Sequence, residues 1–193
     1  GVDYSCWPMS DKPVRTQIET EAGRLEFQHY FVRDRCEHVV KSIHFVSSSV
    51  AYPTHDLLRY LEDPDLCGII VCPSNPFLSV DPILSVRGLK EALIGSKIPI
   101  VAISPLINGQ AVKGPTAKIM KELRLVLSPV SVAAHYKDFI NGFILDETDA
   151  GHAAEITKSG ISVVTAQTLM ASLDDRINLA HTAVNLCDKL RGH

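Results

Sequence analysis

The chain has 193 residues, 46% of them hydrophobic and 21% charged, with 22 acidic against 19 basic residues and a formal net charge of −3. This composition fits a globular protein with a sizeable core and excludes a disordered polyelectrolyte; without a Lys/Arg run it also argues against a nucleic-acid or headgroup-binding scaffold. The longest uncharged runs, around Cys67 to Val80 and Ile98 to Val112, are interrupted by prolines and polar residues, so no membrane span is expected. Gly1 to Trp7 shows no basic region followed by an apolar one, hence no visible leader. The five cysteines, at 6, 36, 67, 72 and 187, form no C-x-x-C pair, which speaks against a disulfide framework or a zinc site and for a reducing cytoplasm. Cys36 with His38 is the nearest approach to a metal-ligand pair, expected on one strand face with no third partner.

In chain order, Val14, Thr16, Ile18 and Thr20 alternate with Arg15, Gln17 and Glu19, and after Glu21-Ala22-Gly23 the alternation resumes through Leu25, Phe27, His29 and Phe31. This predicts a β-hairpin with one buried face. Lys41 to Val46 reads as another strand, and Thr54 as the cap of a helix carrying Leu57, Leu58 and Leu61 that ends at Asp63-Pro64-Asp65. Gly68 to Cys72 is a short continuous apolar run of the kind buried on both faces of a parallel sheet, and the pattern recurs at Ile98 to Ile103, Gly142 to Leu145 and Ile161 to Thr165. Helical spacing follows Ser128-Pro129, in Val132, Tyr136, Phe139 and Ile140. It returns in Leu173, Ile177, Ala180, Val184 and Cys187 behind a Ser172-x-x-Asp175 capping box. Strand alternating with helix predicts a single α/β domain over 1–193, a mostly parallel, doubly wound, Rossmann-like sheet with an inserted or appended β-hairpin.

Ligands of such sheets bind at the carboxyl ends of the strands, which directs attention to the loops that leave them. After Cys72 comes Pro73-Ser74-Asn75-Pro76, where prolines fix the backbone around a hydroxyl and an amide. The loop is either a ligand contact or a tight turn whose Ser and Asn satisfy their own backbone. After Ile103, Ser104-Pro105 leads through Asn108-Gly109 to Lys113-Gly114-Pro115-Thr116 and a helix marked by Ile119, Met120 and Leu123. A glycine and a lysine at a helix start make a plausible phosphate cradle, though not a Walker A sequence, with an ordinary proline-started helix as the alternative. A third polar loop, Pro8-Met9-Ser10-Asp11-Lys12-Pro13, offers Asp11 to orient a hydroxyl nucleophile or a divalent cation, and Met9 to pack against a flat ring. Asp146-Glu147-Thr148-Asp149 reads as a strand-to-helix turn, and no G-x-S-x-G elbow supports a hydrolase.

These loops, together with Ile18-Glu19-Thr20, Pro82-Ile83-Leu84-Ser85, Val101 to Ile107, Val132-Ala133, Tyr136 to Phe139, Asp146-Glu147 and Thr168-Leu169-Met170, resemble in order the 2-phospho-L-lactate transferase family of coenzyme F420 biosynthesis. The resemblance implies a magnesium-dependent transferase that moves a phospholactyl group from lactyl-2-diphospho-5′-guanosine to the deazaflavin FO and releases GMP. It further implies a homodimer, while cysteine usage points to the cytoplasm and composition to no nucleic-acid or membrane partner. On it, Ser74, Asn75, Ser104, Lys113, Gly114 and Thr116 would hold the guanylyl diphosphate, while Met9, Ser10 and Asp11 would lie near FO, Asp11 as the catalytic group. The metal ligands are not assigned. Family members open with a glycine-rich strand-loop-helix, and no counterpart precedes Pro8 in this sequence. The expectation is therefore the carboxyl-proximal part of a larger transferase, with little turnover alone. The alternatives are a non-catalytic nucleotide- or nucleotide-sugar-binding regulator of the related gluconeogenesis-factor type and an inactive fragment.

Overall fold

Residues 4–112 and 114–192 are described by the computed structural model, in which the chain separates into two units, Gly1–Leu66 with Phe77–Lys97, and Cys67–Pro76 with Ile98–His193. In the first, β1 (Arg15–Thr20) and β2 (Gly23–Glu26) form the expected hairpin, and β3 (Val40–Val46) joins it to give an antiparallel sheet of order β2-β1-β3. The sheet therefore holds one strand more than the hairpin. The second hairpin strand is shorter than its alternation suggested: His29–Arg33 winds into a short helix that buries Tyr30. Phe27 stacks on Phe31 across that helical turn, at a centroid distance of 5.4 Å, so two residues counted as strand partners of one face meet at helical spacing instead.

The rest of this unit is helical. Thr54 caps α1 (His55–Leu61) by accepting the Leu57 N–H, and α2 (Asp81–Leu84) and α3 (Leu89–Gly95) follow. Its apolar cluster joins Ala51, Val86 and Leu89 to Met9, Val14, Leu57 and Leu93. Cys36 lies in a turn with φ 60°, not on a strand, and His38 pairs with Glu21 and Asp34 at 3.3 and 3.7 Å, so the Cys36/His38 face does not form.

The second unit is α/β and Rossmann-like. Strands β4 (Ile69–Val71), β5 (Ile100–Ile103), β8 (Gly142–Asp146) and β9 (Ser162–Ala166) make a parallel sheet of order β4-β5-β8-β9. Between β5 and β8 lie a two-strand ribbon of β6 (Leu106–Ile107) and β7 (Gln110–Ala111), then α4 (Thr116–Glu122) and α5 (Pro129–Tyr136). After β8 come α6 (Ala153–Thr157) and, past β9, the long α7 (Leu173–Arg191).

Every residue of β5 and β8 is buried, as a doubly covered parallel strand requires. The same expectation fails for β4: Ile70 is 38% exposed, because β4 is an edge strand among the described residues. Val101, Ile103 and Ile144 face α7, which covers them with Leu179, Ala183, Leu186 and Cys187. Each such leucine removed from water contributes about 1.5–3 kcal/mol. The capping box at Ser172 and Asp175 forms as the sequence suggests, but Leu173, Ile177 and Val184 are exposed. Of the stripe read from spacing, only Cys187 is among the residues buried against the sheet.

Candidate functional site

Because β4, β5, β8 and β9 run parallel, their carboxyl ends share one end of the sheet, the end where such folds bind ligands. A cavity of about 220 Å³ opens there, lined by Pro73, Ser74 and Asn75 after β4, and by Ser104 and Pro105 after β5. Ile107, Val112 and Thr116 come from the ribbon and the start of α4, and Thr168, Leu169 and Met170 from the segment after β9. No charged side chain stands among these residues; hydroxyls and one amide are set between prolines and aliphatic side chains.

Four of the positions read from the sequence thus meet on one cavity: Ser74, Asn75, Ser104 and Thr116. Ser104 is buried, and its hydroxyl is engaged with Leu106, accepting its N–H at 3.1 Å and approaching its carbonyl at 3.3 Å. This serine therefore shapes the turn out of β5 and presents little free hydrogen-bonding capacity to a ligand. Gly114 adopts φ +72°, a left-handed conformation costly for any side chain, so glycine is required just before α4. Lys113 lies outside the described residues. Met9, Ser10 and Asp11 belong to the other unit. There Met9 packs on the Ala51–Val86–Leu89 cluster and the Ser10 hydroxyl accepts the Lys12 N–H at 3.2 Å. Asp11 is exposed.

Three features at this end of the sheet were named in the sequence but given no role in a site. The first is the Thr168–Met170 wall, which the rule of strand carboxyl ends would have found had it been applied to the Ile161–Thr165 run as well. The second is the ribbon turn. Asn108 and Gly109 both have positive φ, 51° and 63°, and Leu106 pairs with Ala111 and Ile107 with Gln110, the geometry of a two-residue hairpin that Asn-Gly signals. The third is the carboxylate at the end of β8. Asp146 is 4% exposed; its Oδ1 accepts the Thr148 N–H at 3.0 Å and the Thr148 hydroxyl at 2.6 Å, and its Oδ2 accepts the Thr168 N–H and hydroxyl, both at 3.0 Å. Burial alone would raise its pKa, but the four donated hydrogen bonds outweigh that and hold the carboxyl below its ordinary value.

Among the described residues, no group of three or more His, Cys, Asp or Glu side chains is placed to hold a metal ion, and the cavity lining includes no carboxylate. These side chains do not form a protein-only cage for magnesium. Nor is any helix of the described residues long and apolar enough to cross a membrane.

Comparison with known proteins places this architecture. Residues 1–177 match the family described as 2-phospho-L-lactate transferase CofD. A 2-phospho-L-lactate transferase of Methanosarcina barkeri is 36% identical over 190 residues, 98% of this chain and 60% of that protein. The Methanocaldococcus jannaschii protein of the same name is 31% identical, again over 98% of this chain and 60% of its own length. A phosphoenolpyruvate transferase of Streptomyces griseus is 29% identical over 95% of this chain. The chain thus spans about 60% of the length of the curated relatives it matches. Among solved structures, a member of the UPF0052 family from Bacillus halodurans shares the fold, with a TM-score of 0.56 over 90% of this chain and 59% of its own, at 14% identity. By the match over residues 1–177 and the identity to these relatives, the chain belongs to the 2-phospho-L-lactate transferase CofD family.

Proposed function

We propose that the protein acts in phospholactyl transfer, passing the group from lactyl-2-diphospho-5′-guanosine to the ribityl hydroxyl of the deazaflavin FO. The hydroxyl oxygen forms a new bond to the phospholactyl phosphorus, the bond from that phosphorus to the GMP phosphate oxygen breaks, GMP leaves with that oxygen, and the hydroxyl proton passes to solvent water. The observation that carries the reading is the convergence of Ser74, Asn75, Ser104 and Thr116 on one cavity at the carboxyl ends of the parallel strands. At about 220 Å³ the cavity is smaller than the roughly 300–1,000 Å³ that encloses a drug-sized ligand, so it suits one flat ring of the donor, with the diphosphate outside. Proline and aliphatic side chains pack on the ring faces, and Asn75 and the Ser74 and Thr116 hydroxyls read polar edges.

On this reading Gly114 lets the backbone approach the diphosphate, and Lys113 supplies charge to it. Magnesium, which the family resemblance implies, would be held chiefly by donor phosphates and water, as that ion commonly is, and would neutralise their charge. Asp11 is the acceptor-side group that orients the FO hydroxyl, beside Met9 and Ser10. The reading makes the protein cytoplasmic and, by family resemblance, a homodimer.

Titration calorimetry with GDP and magnesium tests the nucleotide site whether the transferred acyl group is lactyl or enolpyruvyl. Asn75→Ala and Lys113→Ala are each expected to weaken binding about tenfold, the effect of losing one hydrogen bond or charge contact. Unchanged affinity in both variants overturns the assignment.

A further inference from the structure

Asp146 joins two walls of the cavity that come from different parts of the chain. Through Oδ2 it holds Thr168, a lining residue and the start of the Thr168–Met170 wall. Through Oδ1 it holds Thr148, and there a relay begins: the Thr148 hydroxyl oxygen accepts the Asn108 N–H at 3.0 Å. The neighbouring Asp149 Oδ1 accepts the Gly109 N–H at 2.9 Å. Both N–H groups of the ribbon turn therefore end on residues 148 and 149, and the ribbon carries Ile107 and leads into Val112, the opposing wall.

The polarity of the relay follows from chemistry. An ionised carboxylate only accepts, so the Thr148 hydroxyl must give Asp146 its proton and turn a lone pair to Asn108. An asparagine at 146 offers one carbonyl oxygen where two are needed, and its amide nitrogen would face either the Thr148 donors or the Thr168 donors. One wall would lose its anchor. Asp149 is also held at a cost: it is 5% exposed, and its Oδ2 is buried with no hydrogen-bond partner among the described residues.

We infer that Asp146 is a positioning residue for this cavity, setting the spacing of its two walls through the Thr148–Asn108 relay on one side and Thr168 on the other. That the gripped ring belongs to a guanine nucleotide rests on the reading proposed above; the clamp itself does not.

The test separates the two. Thr148 is exposed, so Thr148→Val removes the relay without emptying core volume, and Thr148→Ser keeps the hydroxyl. Amide hydrogen exchange without ligand is expected to quicken about tenfold or more at Asn108 in Thr148→Val, less at Gly109, which Asp149 still holds, and to stay at the wild-type rate in Thr148→Ser. GDP affinity should fall about tenfold in Thr148→Val and Asp146→Asn and return to near wild type in Thr148→Ser. Unchanged Asn108 exchange in Thr148→Val, or a serine variant as weak as the valine one, overturns the clamp. Absence of GDP binding by the unaltered protein overturns the nucleotide reading, and the Asn108 exchange rates then decide the clamp by themselves.

Discussion

Asp146 shows how a side chain invisible as chemistry in the sequence can organise a site. In Asp146-Glu147-Thr148-Asp149 the carboxylates read as a turn, and a turn is what they form: the segment after Asp146 is a short helix that Asp146 itself caps. What spacing could not show is that the Asp146 carboxylate also reaches Thr168, 22 residues away. A pH prediction belongs to this residue. Its folded pKa is depressed, so its contribution to stability is present in full above the unfolded value of about 3.9 and is lost as the pH falls through the lower native value. Thermal unfolding of Asp146→Asn should accordingly start from a lower midpoint at pH 7 and fall less steeply than wild type below about pH 4. Parallel curves for the two proteins would remove Asp146 from the acid limb. By contrast the place of Ser74, Asn75 and Thr116 on the cavity was legible, because they follow a buried strand or start a helix at the end of the sheet where such folds bind ligands.

At the level of elements, the strands were readable in proportion to their burial. The fully covered β5 and β8 are continuous apolar runs, whereas β4 carries the same pattern at a half-open edge, since neighbours are set by topology and not by local composition. The face of α7 was misjudged for a related reason: the helix carries apolar residues on two sides, and periodicity alone cannot say which side the sheet takes. Its true contact is fixed by close approach. A Cβ on Gly68 would stand 2.5 Å from Cys187 Sγ and 2.7 Å from Cys187 Cβ, and one on Gly142 would stand 2.9 Å from Leu186 Cδ2. Gly68→Ala is therefore expected to destabilise by about 1–3 kcal/mol in denaturant titration. Gly95→Ala, at the end of α3 with nothing within 4 Å of the added carbon, should be neutral or stabilising by up to about 1 kcal/mol. Equal effects at the two sites would contradict this account of the α7 contact.

Across the whole molecule, the residues read from sequence fall into two groups. The cavity is built entirely within Cys67–Pro76 and Ile98–His193, while Met9, Ser10 and Asp11 belong to the other unit. The proposed reaction makes this a division between donor and acceptor. Asp11→Asn is expected to lower transfer to FO by about 100-fold, as misplacing a nucleophile does, while leaving GDP affinity unchanged. Asn75→Ala should weaken both. A loss of GDP affinity in Asp11→Asn would dissolve that division.

The units are also interleaved along the chain: strand β4 and the Pro73–Asn75 wall come from a ten-residue stretch between two pieces of the other unit. During synthesis, then, neither unit can be completed in turn. The first waits for Phe77–Lys97, and the parallel sheet must keep β4, made early, until β5 emerges to pair with it. Folding should consequently depend on pairing across the segment that separates β4 from β5, and a break anywhere between Cys67 and Lys97 should cost both units at once.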